Sequence, residues 1–136
     1  MRVSLDEGAF APTRAHATDA GLDIRARHSG IVRAKQSATF GTGVHIELPG
    51  ETAGVILPKS GLMIHKDILT FGVVDEGFSG EVMVHVYNLG NEDYFVMAGD
   101  KITQLLVVDV RYEPVDIVWR VEGGERGADG YGSTGR

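Results

Sequence analysis

Glu81-Val-Met-Val-His-Val-Tyr-Asn-Leu89 sets valine at 82, 84 and 86 in alternation with Met83, His85 and Tyr87. A period of two places the three valines on one face, the mark of a strand with one side in a core. The same alternation recurs on either side of it. Val44, Ile46 and Leu48 alternate with His45 and Glu47, and Val115, Ile117, Trp119 and Val121 alternate with Asp116, Val118 and Arg120. Strand-like runs also cover Leu22–Arg27, Ile31–Thr39, Gly54–Leu57 and Lys101–Val110, separated by turn signals such as Pro49-Gly50, Gly90-Asn91 and Ala98-Gly99-Asp100. One short helix is predicted at Ser60–Lys66, and no long amphipathic helix can be drawn. Many short strands without helices predict an all-β barrel or jelly roll.

The global numbers agree with one such domain. The chain has 136 residues, 43% of them hydrophobic and 24% charged, which excludes a disordered polymer. The absence of cysteine excludes disulfide scaffolds and thiolate metal sites, and suits a reducing compartment. A net charge of −6 argues against general nucleic-acid binding. Residues Met1–Phe10 include Asp6 and Glu7 and carry no apolar run, so neither a signal peptide nor a membrane span is read, and a cytoplasmic location is expected. The five histidines (16, 28, 45, 65 and 85) have no metal-ligand spacing.

The 19 glycines are about twice the ordinary usage of ~7% and are not evenly spread. Six of them fall among the fourteen residues Gly123–Arg136, where no apolar face exists, so a barrel over 1–122 and a flexible arm over 123–136 are expected. Others mark patches in which polar residues interrupt strand-forming sequence. In Ala17–Ala26, Asp19 and Asp23 flank Gly21. In Leu57-Pro-Lys-Ser-Gly-Leu62, Pro58 ends a strand, Ser60 reads as an N-cap, and Lys59 adds a charge beside free backbone N–H groups that suit an anion. Gly72–Gly80 reads as a hairpin tip holding Asp75. Gly99–Leu106 sets Gln104 in an apolar strand. Arg126–Arg136 combines an arginine, Tyr131, Ser133 and Thr134 on a glycine-rich arm, a composition suited to a flap over a phosphorylated aromatic ligand. Singly, each patch is more often a plain turn, a loop or a tail than a site.

In this order and spacing the five patches resemble the five motifs of the trimeric deoxyuridine triphosphatase (dUTPase) family, from about Ala17 to Arg136. Asp19-Ala-Gly-Leu-Asp23, Pro58-Lys-Ser-Gly-Leu62, Gly99-Asp-Lys-Ile-Thr-Gln104 and Gly130-Tyr-Gly-Ser-Thr-Gly135 carry the likeness. The resemblance implies a distorted jelly-roll β-barrel, a homotrimer with an exchanged C-terminal arm, and Mg²⁺-dependent hydrolysis of dUTP to dUMP and pyrophosphate. That activity limits uracil in DNA and supplies dUMP for dTMP synthesis.

Roles carried over by the resemblance are as follows. Asp75 activates the attacking water. Asp23 approaches the metal through water, the ion being held mainly by the triphosphate. Lys59, Ser60, Gly61 and Gln104 bind phosphate, while Gly72 and the main chains of Val73, Val74 and Met83 receive the uracil edge. Phe78 lies under the sugar. Arg126 reaches the terminal phosphate, Tyr131 stacks on the base, and Gly132, Ser133 and Thr134 complete the phosphate contacts.

Several positions depart from the family's habit. Lys59 stands for a more usual arginine, Phe78 for tyrosine, Tyr131 for phenylalanine and Asp67 for glycine. The stretch Met63–Phe71 lacks an asparagine that often helps read the base, which leaves Thr70 or Phe71 to take that role. Two other classes stay open on the residues. One is a dCTP deaminase or bifunctional enzyme on the same fold, with Glu76 or Glu81 as its extra acid. The other is a nucleotide-gated regulatory binding protein.

Overall fold

The computed structural model describes residues 1–124 together with 127 and 128. Ten strands and one helix follow in order: β1 (Arg2–Leu5), β2 (Leu22–Arg25), β3 (Gly30–Val32), β4 (Ser37–Glu47), β5 (Thr52–Leu57), α1 (Ser60–Lys66), β6 (Ile68–Thr70), β7 (Gly72–Val74), β8 (Glu81–Asn88), β9 (Tyr94–Val96) and β10 (Lys101–Asp109). They form two four-stranded sheets, ordered β1-β4-β8-β6 and β2-β10-β5-β7, and a two-stranded sheet β3-β9. Every pairing is antiparallel. The all-β expectation holds. No helix among the described residues is long and apolar enough to cross a membrane.

The core lies between the sheets. Val82, Val84 and Val86 from β8, and Val44 and Ile46 from β4, meet Ile24, Ile56, Ile102 and Leu105 from the facing sheet, all of them buried. Each contributes roughly 1.5–3 kcal/mol of apolar burial, so this set dominates the stabilisation. The alternation that predicted β8 is therefore the alternation of core and surface, with Met83 and Tyr87 exposed.

Three expected elements differ. The run 31–39 is not one strand: a turn at Lys35, whose φ is 61°, divides β3 from β4. The carboxylate of Asp93 holds that turn by accepting from the Ala34 amide and the Arg33 guanidinium. The alternating segment 115–121 forms no strand, because no sheet edge of its own chain receives it; Val115, Ile117 and Trp119 are almost fully exposed. The last strand of the barrel ends at Asp109. Finally, the expected hairpin over 72–89 is not a paired hairpin. β7 pairs with β5, while β8 pairs with β4 and β6, so the chain crosses from one sheet to the other at Asp75–Gly80.

Candidate active site

Strand β10 is the organiser. It lies between β2 and β5, with Gln104 opposite Asp23 on one side and Leu57 on the other. Asp23 and Gln104, 81 positions apart in the chain, are thereby brought to one place by register alone. Gln104 donates from Nε2 to the Pro58 carbonyl at 3.1 Å. A Cβ on Gly21 would stand 2.3 Å from Gln104 Oε1, so only glycine at 21 leaves room for this side chain. Just below, Thr103 Oγ1 donates to the Leu57 carbonyl at 2.7 Å, tying β10 to the end of β5.

Asp23 is the charged centre of the cluster. Its side chain is 8% exposed and takes Lys101 Nζ at 2.7 Å on Oδ2 and Lys59 Nζ on Oδ1. Burial alone would push this carboxyl up. Hydrogen bonds and charge from Lys101 and Lys59 outweigh burial and hold it below the ordinary aspartate range. Two ammonium groups share one carboxylate, so these three groups together carry one net positive charge in a molecule of net charge −6, with the Asp19 carboxylate close enough to feel Asp23. That local excess draws anions despite the acidic whole.

Helix α1 begins beside this cluster. The sequence reading made Ser60 the N-cap; in the structure Lys59 is the capping residue and Ser60 the first helical one. The reason is that Lys59 keeps extended backbone (φ −76°, ψ 128°) after Pro58, which makes it the half-in residue; its ammonium has no acceptor to cap with and pairs with Asp23 instead. No side chain caps the helix start, so its leading N–H groups stay open beside Lys59. Ser60 and Gly61 are exposed there. At the other end, Asp67 takes a left-handed conformation with φ 54°, which explains why glycine would be at home at this position.

The third patch builds a different feature. β6 covers only Val86–Asn88 of β8, and β7 is the edge of its own sheet. The first half of β8 and the free edge of β7 thus face each other without a ladder between them. A slot of about 400 Å³ opens there, lined among others by Phe71, Gly72, Val73, Phe78, Met83 and His85. Backbone donors and acceptors along two unpaired strand edges offer a planar heterocycle the pairing that a strand would take. Asp75 lies at the rim, exposed, and Phe78 and Met83 are each about half exposed at the mouth.

The structure therefore brings Gly21, Asp23, Lys59 and Gln104 together, with Ser60 and Gly61 adjoining. It sets Gly72, Val73, Val74, Asp75, Phe78 and Met83 together at the slot. The slot's lining contains none of the first group, so within one chain these are two half-sites. Arg126, Tyr131, Gly132, Ser133 and Thr134 lie outside the described residues.

Sequence reasoning missed Lys101, the second cation on Asp23, because a lysine at a strand start carries no signal until register is known. His85, noted in the sequence only for its lack of metal-ligand spacing, borders the slot, and its Nδ1 lies 2.7 Å from Thr39 Oγ1. Of the two substitutes for the missing asparagine, Thr70 is fully buried and bonded to Thr103 at 2.7 Å, which removes it from the base; Phe71 does line the slot. The glutamates weighed for deamination are already engaged. Glu81 accepts from the Gly43 amide at 2.7 Å, and Glu76 from the Glu51 amide at 2.9 Å.

Comparison with known proteins agrees with this geometry. A family model described as dUTPase matches residues 8–135. The deoxyuridine 5'-triphosphate nucleotidohydrolase of Clostridium acetobutylicum is 38% identical over 134 residues, covering 96% of this chain and 92% of that protein. The fold is also that of the Staphylococcus bacteriophage 80alpha dUTPase solved with dUpNHpp, with a TM-score of 0.92, 24% identity, and coverage of 99% of this chain and 98% of that one. A mutant dUTPase of S. aureus phage phi11, described as revealing the coordination of a structural Mg(II) ion, superposes with a TM-score of 0.81 at 23% identity over 88% of this chain and 96% of that one. With its all-β fold and a family match over nearly its whole length, the chain belongs to the dUTPase family.

Proposed function

We propose that this protein hydrolyses dUTP to dUMP and pyrophosphate, as a homotrimer in which one chain's slot faces another chain's lysine patch. The observation that carries the reading is the division of labour between the half-sites. One has the shape and free backbone to hold a base with a carboxylate at its rim. The other concentrates positive charge, an open helix start and a glutamine amide. Either alone is half a nucleotide site. The exposed apolar face of Val115, Ile117 and Trp119 supports an assembly that covers it. Residues 123–136 would then form the arm, with Arg126, Tyr131, Gly132, Ser133 and Thr134 closing on the nucleotide.

In this reaction Asp75 accepts a proton from a water directed at the α-phosphorus. The new O–P bond forms as the bond to the bridging oxygen breaks, and that oxygen leaves with pyrophosphate. Lys59, the amides at Ser60 and Gly61, and Gln104 offset the charge on the phosphates. Val73, Val74 and Met83 read the uracil edge through their main chains, and Phe78 packs against the sugar.

A magnesium ion fits these residues only if the triphosphate supplies most of its ligands. Both oxygens of Asp23 already face lysines, and no three His, Cys, Asp or Glu side chains cluster as a metal site among the described residues. Mg²⁺ characteristically keeps waters and substrate phosphates around it, so Asp23 would meet it through water. When bound, the ion supplies charge neutralisation on the phosphate oxygens. The lack of cysteine suits a reducing compartment such as the cytoplasm. The engagement of Glu76 and Glu81 disfavours a deaminase.

The test is pyrophosphate release with Mg²⁺ from dUTP, dCTP, dTTP and UTP, for the natural chain and for Asp75→Asn. Hydrolysis of dUTP alone is expected, with turnover reduced by about 10²–10⁴ in the variant and unchanged affinity for a non-hydrolysable dUTP analogue. Ammonia release from dCTP, or full activity of Asp75→Asn, would refute the reading.

A further inference from the structure

The turn that carries Asp75 is short and closed by little of its own. Phe78 N–H donates to the Asp75 carbonyl at 3.1 Å, and Gly77 has a φ of 83°, as the third position of a type II turn requires. One main-chain bond fixes four exposed residues between two sheets. The remaining support comes from Glu76, whose side chain leaves the turn and reaches two other parts of the chain.

Glu76 Oε2 accepts from the Glu51 amide at 2.9 Å and from the Tyr112 hydroxyl at 2.5 Å. Glu51 lies in the turn between β4 and β5 and is itself held in the left-handed region, with φ 58°. Its carbonyl accepts from Val110 N–H at 2.9 Å, so the same turn also grips the exit of β10. Tyr112 stands two residues beyond, at the beginning of the segment that leaves the barrel. Ala53, Asp75, Glu76, Gly77, Val110 and Tyr112 line one cavity beside this arrangement, so the tyrosine and the turn that carries Asp75 border the same space.

We propose that Glu76 is a positioning residue for the hydrolysis: by bridging the Glu51 amide and the Tyr112 hydroxyl, it fixes the turn that aims Asp75 at its water. The inference rests on the dUTP-hydrolysis reading above. It extends that reading to a residue whose role is geometric. Glu76 is held ionised by these two donors, Tyr112 first and Glu51 second. The charge makes both hydrogen bonds stronger than neutral ones. The tether also fastens the start of the C-terminal segment to the Asp75 turn. Displacement of that segment would therefore be felt at the carboxylate.

The experiment measures kcat and KM for dUTP, and affinity for a non-hydrolysable dUTP analogue, in the natural protein, Glu76→Ala, Glu76→Gln and Tyr112→Phe. Glu76→Ala should lower kcat by about tenfold with KM and analogue affinity within about twofold, since a carboxylate misaimed by a fraction of an ångström loses rate before affinity. Glu76→Gln keeps an acceptor oxygen for both donors and should recover most of the rate. Tyr112→Phe removes one donor from a surface hydroxyl without disturbing the core, so it reads the tether even where Glu76→Ala folds poorly; a loss of about threefold in kcat is expected. Wild-type kcat in Glu76→Ala and Tyr112→Phe would overturn the inference, as would a fall in affinity parallel to the fall in kcat or an inactive Glu76→Gln. If the natural protein itself releases no pyrophosphate from dUTP, the functional reading fails first. Activity in the natural protein with no effect of these variants overturns the positioning role alone.

Discussion

Replacing Gly21 by alanine probes whether the phosphate half-site is built on side-chain fit. The new methyl would stand 2.3 Å from Gln104 Oε1 and 3.1 Å from its Cβ and Cδ. Rotating the amide away would relieve the first contact but not the other two, so the whole side chain must move. Two losses follow. The Nε2 bond to the Pro58 carbonyl breaks, worth about 1 kcal/mol net. Overpacking against neighbouring strands adds about 1–2 kcal/mol. Gly21→Ala should therefore destabilise by about 2–3 kcal/mol, a fall of about 6–12 °C in Tm for a chain of this size. Gln104→Ala alone removes the hydrogen bond and should cost about 1 kcal/mol. In the double variant the amide is gone but the Cβ at position 104 still stands 3.1 Å from the new methyl, so the second change should cost about 1 kcal/mol, giving a coupling of about 1–2 kcal/mol. Thermal unfolding of the four proteins at one fixed concentration measures this cycle. If Gly21→Ala costs the same with and without Gln104, the contact does not govern the site and the reasoning is refuted.

Two further outcomes are expected. The Asp23 carboxyl is depressed in the folded protein, so its stabilising contribution is complete above the ordinary aspartate value of about 3.9 and is lost as pH falls through the lower folded value. Tm should drop across that window in the natural chain. In Asp23→Asn this part of the acid limb should vanish, with a loss of roughly 1–3 kcal/mol at neutral pH from the two unpaired lysines; an unchanged acid limb would show that the lysines do not hold the carboxylate. Trp119 is the single tryptophan and is fully exposed within one chain. If a homotrimer covers the 115–121 face, iodide should quench it far less than free tryptophan while sedimentation reports a trimer. Full quenching in the trimer would mean that this face stays open.

What was legible in the sequence followed from what local chemistry controls. The β8 alternation predicted both a strand and its buried valines, because pleat and core obey the same period. Helix α1 was predicted over its observed span from Pro58 before it and a polar start. Its cap was not, because the helix starts one residue earlier than a serine cap would set it: Lys59 holds extended backbone and Ser60 is already helical. The 72–89 hairpin failed for a related reason. A turn with glycine looks the same whether its flanking strands pair with each other or with strands of two different sheets. The segment 115–121 has the periodicity of a strand but no edge in its own chain, and periodicity does not say where a partner is. Asp75, Lys59 and Gln104 are candidates through the family motifs; that Asp75 stands apart from the other two within one chain became visible only once the sheets were in place.

The gap between β7 and the first half of β8 has one more consequence. Unpaired strand edges usually invite another chain to add itself, the route by which β proteins aggregate. Here the two vacant edges are turned toward each other across a slot, so neither is offered to a passing chain. A flat heterocycle seated in that slot would act as the missing rung between the two sheets. Substrate recognition and protection from misassembly would then be one property of the fold, because the backbone groups that make the barrel vulnerable would be the ones the proposed ligand occupies.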